Sequence, residues 1–190
     1  MATIYYTATS LDGFIADENN SLDWLFQFGE LEPNTFETFL EGVGAIAMGS
    51  TTYQWIYDHD FDSQADAPKP WPYKVPAWVF TSRQLPTMVD ADVRFVSGNV
   101  KPIHQKMVIA AGGKNLWIVG GGDLAGQFYD CGLLNEMVIQ VASVTLGGGA
   151  PLFPRRIDPP LQLLSAKTYG QNFAELHYKI SQSVANSSVT

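Results

Sequence analysis

Short apolar runs that alternate with helical patterns are the feature that most restricts how this chain can fold. Residues 43–48, 75–80 and 116–119 are largely apolar, and each run is followed at once by glycine or hydroxyl side chains. Such runs are typical of strands buried on both faces of a parallel sheet. Because helical spacing follows at 53–57 and 123–129, the order of elements predicts an α/β fold with a mostly parallel sheet covered by helices.

The other elements are predicted from β-branched and aromatic runs and from helical spacing. Strands are expected at 4–9, 93–96, 136–143, 161–168 and 173–180, and helices at 35–41 and 103–110. The last two strands are typical of an antiparallel hairpin. No linker divides the chain, so residues 1–180 are predicted to form a single domain. Small polar residues at 181–190 predict a disordered tail.

The composition favours a small-molecule partner over a nucleic acid or a membrane. The chain has 190 residues, with 11 basic and 19 acidic side chains and a formal net charge of -8, whereas a protein that tracks a nucleic-acid backbone needs a basic surface. No segment approaches the roughly 18 unbroken apolar residues of a membrane helix. One cysteine, Cys131, and an N-terminus without a basic signal-peptide start predict a cytoplasmic location. The histidines are scattered, so no metal site is expected.

Residues that follow the first buried run suit a phosphate group. Parallel sheets bind ligands at the carboxyl ends of their strands, and after 43–48 come Gly49, Ser50, Thr51 and Thr52. Glycine lets a ligand approach the backbone, and the hydroxyls and free N–H groups of a helix start can bind a phosphate. A plain Ser/Thr helix cap is the alternative interpretation.

The second run ends in a different polar set. Thr81, Ser82 and Arg83 follow residues 75–80. Two hydroxyls and a guanidinium could hold a phosphate monoester, which is the group that distinguishes NADP from NAD. The alternative is a polar strand exit with no ligand.

The third run ends in three glycines at 120–122, followed by Asp123 and Leu124. Glycines at a helix start could hold a pyrophosphate against the backbone, or they could be a turn for tight packing. The first and third glycines with Ala125 also fit the G-x-G-x-x-A fingerprint of a Rossmann domain. More than half of the chain precedes them, and residues 141–146, about 20 positions on, contain no acid for the ribose. A Rossmann domain is therefore disfavoured.

Five motifs together resemble the dihydrofolate reductase-like superfamily, most closely the branch that shares the reductase domain of bacterial riboflavin biosynthesis (RibD C-terminal type). They stand in the order typical of that family and span nearly the whole chain. The motifs are TSLDGFIA at 9–16, IAMGSTTY at 46–53, VFTSRQL at 79–85, IVGGGDLAGQF at 118–128 and SVTLGGGAPLFP at 143–154.

The resemblance implies a three-layer α/β/α fold, with a mixed, mostly parallel sheet of about eight strands and an antiparallel C-terminal strand. It also implies NADPH as cofactor and a possible homodimer. The nicotinamide would lie near Thr7, Ala8 and Ile15; cofactor phosphates near Gly49, Ser50, Thr51 and Thr52; the ribose 2′-phosphate near Thr81, Ser82 and Arg83; and the pyrophosphate near Gly120, Gly121, Gly122, Asp123 and Leu124.

On the substrate side, the resemblance implies roles for Asp12, Gly13 and Trp24. Asp12 is the best-placed carboxylate for catalysis or substrate binding, although an Asp-Gly turn explains it equally well. Dihydrofolate reductases carry a carboxylate a few residues after a tryptophan, and neither Glu30 nor Glu32 has that spacing here.

The expected activity is NADPH-dependent hydride transfer to a small heterocyclic or ribosylaminopyrimidine-like substrate, as in 5-amino-6-(5-phosphoribosylamino)uracil reductases. Dihydrofolate reduction and non-catalytic NADP binding on the same fold are the alternatives. Folate reduction is disfavoured by the missing carboxylate and by Ser50, where many dihydrofolate reductases have a basic residue.

Overall fold

The computed structural model describes residues 1–29, 33–60 and 70–181, without the side chains of 33–35 and 60. The strands are β1 Thr3–Thr9, β2 Phe14–Ala16, β3 Val43–Gly49, β4 Ala77–Phe80, β5 Val93–Val96, β6 Asn115–Gly120, β7 Glu136–Ala142, β8 Ala150–Pro151, β9 Gln162–Tyr169 and β10 Phe173–Lys179. The helices are α1 Asp23–Phe26, α2 Pro33–Glu41, α3 Ser50–Asp60, α4 Val100–Ala110 and α5 Gly122–Asp130.

Eight of these strands form one sheet in the order β5-β4-β3-β6-β1-β7-β10-β9. The first six strands in this order, from the edge strand β5 across to β7, are all parallel to their neighbours. Strand β10 is antiparallel to both β7 and β9. The predicted fold class, a mixed and mostly parallel sheet with helices and an antiparallel C-terminal strand, is confirmed. The remaining strands, β2 and β8, pair with each other in a separate two-stranded sheet.

Helices cover both faces of the sheet because the strands are apolar on both sides. On one face, Tyr5 packs with residues of α4 and α5 such as Met107 and Phe128. On the opposite face, Tyr6 packs with Tyr53 of α3. Each large side chain buried in these layers contributes roughly 1.5–3 kcal/mol to folding. Within the part of the chain that the structure describes, no helix has the length and apolar character needed to span a membrane.

The strand order brings the carboxyl ends of β3, β6 and β1 together. β6 lies between β3 and β1, where Met48 is opposite Gly120 and Tyr5 is opposite Ile118. The turn after β6 is therefore next to the turn after β3. β2 and β8 pair through Phe14 and Pro151.

Most predicted elements are present, with shifted ends. Strand β4 begins at Ala77 rather than at 75, because Pro76 has no N–H to give to a strand ladder. The helix predicted at 103–110 begins at Val100, and the Asn99 side chain accepts a hydrogen bond of 2.8 Å from Lys101 N at its start. The elements β2, α1 and β8 were not predicted, since segments of two to four residues are too short to display a period. The predicted tail at 181–190 lies outside the described residues, apart from Ser181.

Candidate functional site

A cleft of about 520 Å³ opens at the carboxyl ends of β1, β3 and β6. Most of the residues predicted to contact a cofactor line it. These are Thr7, Ala8, Ile15, Gly49, Ser50, Thr51, Thr52, Gly120, Gly121, Gly122, Asp123 and Leu124. The strand order therefore brings three segments that are far apart in the sequence into one wall.

Two helices begin at this cleft, α3 at Ser50 and α5 at Gly122. The first backbone N–H groups of a helix have no partner within it, and the helix dipole adds partial positive charge there. Gly121, the residue before α5, has no side chain to cap these groups, and its carbonyl accepts a hydrogen bond of 3.1 Å from Ala125 N. With the hydroxyls of Ser50 and Thr51, this end of the cleft can bind an anion such as a phosphate.

The three glycines where β6 ends and α5 begins are required by the fold to different degrees. A Cβ on Gly122 would lie 2.3 Å from the Leu152 carbonyl oxygen, so the backbone of residues 151–152 excludes any side chain there. A Cβ on Gly120 would lie 2.9 Å from Thr52 Oγ1. At Gly121 the nearest atom would be 3.8 Å away, on Ile15, and φ is −95°. The residues packed around this position therefore leave room for a side chain at 121.

Gly49 is a second glycine that the fold does not require. A Cβ there would lie 3.9 Å from Gly120 O and from Gly121 N, an ordinary van der Waals separation. Gly49, the last residue of β3, and Gly121, the residue directly after β6, thus form a patch of bare backbone in the cleft wall. The peptide bond between Gly120 and Gly121 is cis. A ligand that packs against the backbone would account for glycine at both positions.

Thr81, Ser82 and Arg83 do not line the cleft, but they directly follow Phe80, which does. Thr81 N donates to Val96 O at 2.8 Å, and Arg83 N donates to Thr81 Oγ1 at 2.9 Å. These bonds fix a tight turn from which the exposed Ser82 and Arg83 project at the β4 end of the cleft.

Asp12 lies outside the cleft lining, and its carboxylate is occupied by the protein. It accepts hydrogen bonds of 2.6 Å from Ser10 Oγ, 3.0 Å from Leu146 N and 2.7 Å from Gly147 N. The Ser10 bond, followed by the two backbone donors, lowers the pKa of Asp12. Asp12 therefore fastens the β1–β2 turn to the loop after β7, with Gly13 beside it at a φ of 87°. Its predicted catalytic role, and the substrate role of both residues, stay predictions.

Trp24 is buried in a small apolar cluster with Ala142 and Phe173, and it does not line the cleft. Its predicted substrate contact stays a prediction. Its neighbours Leu22 and Leu25 do line the cleft. Glu30 and Glu32, the carboxylates considered for a folate-type site, lie outside the described residues.

An apolar wall forms part of the cleft, and the sequence did not single out most of it. Leu22, Leu25, Trp55, Ile56 and Tyr73 form this wall. The Trp55 ring stacks on Phe26 at 5.8 Å and on His59 at 4.1 Å between centroids. One signal was available: Thr52, Trp55 and Ile56 are three and four positions apart, the spacing of one helix face.

Asp123 brings a negative charge into the cleft wall. Gln127 Nε2 and Arg155 Nη2 each donate to its carboxylate at 2.9 Å. The Gln127 bond first, and then Arg155, lowers the pKa of Asp123. Asp123 is consequently ionised at neutral pH.

The chain is similar to known proteins along most of its length. The family described as the RibD C-terminal domain matches residues 2–174. YwjB, an uncharacterized protein of Bacillus subtilis (strain 168), is 32% identical over 178 residues, which cover 93% of this chain and 96% of YwjB.

Two solved structures have the same fold. A putative riboflavin biosynthesis protein from Shewanella sp. PV-4 superimposes with a TM-score of 0.76 at 30% identity, covering 96% of this chain and 100% of that one. A dihydrofolate reductase from Enterococcus faecalis, complexed with NADP(H), superimposes with a TM-score of 0.63 at 14% identity, covering 95% of this chain and 97% of that one.

Proposed function

The chain belongs to the RibD C-terminal domain family, and from that premise we propose that it is an NADPH-dependent reductase. Its substrate would be a small heterocycle, of the ribosylaminopyrimidine type reduced in riboflavin biosynthesis. The family and the reductase-like fold support the reaction class. The cleft supports the cofactor.

The bare backbone patch at Gly49 and Gly121 is the observation that carries this proposal. Neither residue needs to be glycine for packing, since a Cβ at either position meets only ordinary contacts. Both lie beside the first turns of α3 and α5. A diphosphate could lie against this patch and accept hydrogen bonds from the helix N–H groups. The residues present therefore fit NADPH.

The chain's own residues would bind, orient and shield the reacting groups. When bound, NADPH supplies the hydride. Thr7, Ala8 and Ile15, which line the cleft, would hold the nicotinamide ring against the end of β1. Leu22 and Leu25 would exclude water from that region, which strengthens electrostatic interactions there.

The apolar wall would receive the substrate. Trp55 and Tyr73 present aromatic surface to the cleft, and aromatic side chains pack well against flat rings. Trp55 stacks on Phe26 and on His59, which holds its ring in one orientation. The part of the ring that these neighbours leave uncovered would contact the substrate. Such a wall suits a planar heterocycle and would place it beside the nicotinamide.

Non-catalytic NADP(H) binding is a second candidate, and the state of Asp12 favours it. The carboxylate predicted to handle a proton is held by three donors outside the cleft. Its lowered pKa disfavours proton donation at neutral pH. A binding protein needs no proton donor, whereas a reductase would take its proton from water or from another group.

Cofactor titration followed by a turnover screen tests the proposal. We expect NADPH to raise the midpoint of thermal unfolding. A ligand that binds only the folded state, at a free concentration 100 times its Kd, adds roughly 2.7 kcal/mol of stability. NADPH oxidation should then be followed with pteridines, dihydrofolate and ribosylaminopyrimidines. Binding without turnover would favour the second candidate, and turnover with dihydrofolate alone would indicate folate reduction. A failure of NADPH to bind would refute both proposals. The expected homodimer and cytoplasmic location stay predictions.

A further inference from the structure

Arg155 lies lengthwise along α5, just behind the cleft wall. Its Nη2 donates to Asp123 Oδ1 and its Nε to Asp130 Oδ2, each at 2.9 Å. Between these contacts it crosses Gly126, where an added Cβ would lie 2.9 Å from Arg155 Cγ. The glycine thus provides the groove in which the guanidinium lies. The arginine side chain is 27% exposed, whereas Asp123 and Asp130 are 66% and 51% exposed, so the clamp is partly buried on its arginine side only.

The clamp joins two parts of the cleft wall. Asp123 is in the first turn of α5, and Pro154, the residue before Arg155, also lines the cleft. Arg155 Nη1 donates to the Pro154 carbonyl at 2.9 Å. Asp123 and Asp130 are seven positions apart and lie on one face of the helix. One side chain therefore connects the start of α5, its end and the loop after β8.

The charge at Asp123 bears directly on an anionic ligand. Its carboxylate is ionised and stands beside the helix N–H groups that would bind a diphosphate. An unpaired carboxylate there would repel the ligand and compete with it for the positive end of the helix. The contact with Arg155 offsets that charge.

We propose that Arg155 is a positioning residue for the cofactor diphosphate: by pairing with Asp123 it offsets the negative charge of that carboxylate at the phosphate end of the cleft. This inference rests on the proposed function. Arg155 lies outside the cleft lining but would help to determine cofactor affinity. The carboxylate of Asp123 would oppose binding when Arg155 is removed.

A charge-removal set of variants tests this inference. NADPH dissociation constants are measured by fluorescence for the wild type, Arg155→Met, Asp123→Asn and the double variant. We expect Arg155→Met to weaken binding about 10-fold, roughly 1.4 kcal/mol, and the defect to shrink as salt screens the charges. The double variant should return to near wild-type affinity, and Asp123→Asn alone should bind at least as tightly as the wild type.

Arg156→Met is the matched control. It removes the same charge from the next residue, whose side chain is 89% exposed and pairs with Asp158 at 3.6 Å. It should leave NADPH affinity unchanged. If the double variant binds as weakly as Arg155→Met, or if Arg155→Met binds as well as Arg156→Met, the inference is wrong. If Arg155→Met does not fold, Asp123→Asn provides an independent test. Weaker NADPH binding by Asp123→Asn than by the wild type would contradict the proposed role of the Arg155–Asp123 pair. A wild type that does not bind NADPH instead refutes the proposed function.

Discussion

The glycine turn after β6 and the Asp12 turn after β1 lie near the same end of the sheet, yet they differ in what they leave free. At residues 120–122 the helix N–H groups have no side-chain cap, and Gly121 carries no side chain although packing would allow one. At Asp12 each carboxylate oxygen accepts from the protein itself. Hydrogen-bonding groups and space that the fold leaves free are a better sign of a ligand site than the presence of a reactive side chain. Four sets of substitutions test this comparison.

The largest effect is expected on stability, from Gly122→Ala. The new Cβ would lie 2.3 Å from one carbonyl oxygen and 2.4 Å from another. Because backbone atoms cannot move aside cheaply, we expect a loss of about 3 kcal/mol in the free energy of unfolding. Urea unfolding of the purified variant measures it. An unchanged midpoint would mean that the backbone of residues 151–152 does not pack against the start of α5 as described.

Gly121→Ala should affect ligand binding and not stability. We expect unchanged unfolding but NADPH binding weakened about 30-fold, roughly 2 kcal/mol, because the methyl group would fill the space proposed for the diphosphate. Gly49→Ala is the companion variant, since its Cβ also meets only ordinary contacts. Titration by fluorescence, beside unfolding, gives both quantities. Normal binding by both variants would remove the main support for the proposed function.

Arg83→Ala should discriminate between cofactors. If the turn after β4 holds the 2′-phosphate, NADPH affinity falls about 10-fold, roughly 1.4 kcal/mol, while NADH affinity is unchanged. The exposure of Arg83 makes a folding defect unexpected. Parallel titrations with both cofactors measure the difference, and equal losses would contradict the assignment.

Asp12→Asn should have the smallest effect of the four sets, a loss of thermal stability whose size depends on pH. Because folding lowers the pKa of Asp12 from its ordinary value of 3.8, the ionised carboxylate stabilises the fold at pH values above about 3.8, and this contribution disappears as pH falls through the folded-state pKa. The variant should therefore melt earlier than the wild type at pH 7, with the gap closing towards pH 3. Thermal melts across that range measure it.

Turnover separates the two interpretations of Asp12. If the residue only fastens the turn, Asp12→Asn should retain the wild-type kcat for NADPH oxidation at a temperature where both proteins are folded. A large loss of kcat with little loss of stability would restore the catalytic prediction.

Sequence reasoning succeeded where a rule links position in the chain to position in space. Parallel strands put their carboxyl ends at one edge, so the residues after 43–48 and 116–119 could be grouped from their place in the chain. The rule gave no order for the strands. That β6 lies between β3 and β1 depends on which faces pack, and neither run of residues encodes it alone.

The missed parts of the site depend on tertiary contacts. Leu22 and Leu25 belong to or flank a helix of four residues, which is too short for a periodic signal. The clamp from Arg155 to Asp123 joins residues 32 apart in the chain. The bonds from Leu146 and Gly147 to Asp12 span 134 and 135 positions. Nothing local distinguishes these partners from other charged or loop residues.

The position of β6 also has a consequence for the order in which the chain can be assembled during synthesis. β1 and β3 are each paired with β6, and Thr3 is opposite Leu116. Until the end of β6, at Gly120, has left the ribosome, both strands therefore lack a neighbour at what will become the middle of the sheet. Unpaired strand edges can pair with other chains, so the nascent protein passes through an interval in which it can aggregate. The same strand that completes the proposed phosphate site covers these two edges, while the other edge of β1 still waits for β7.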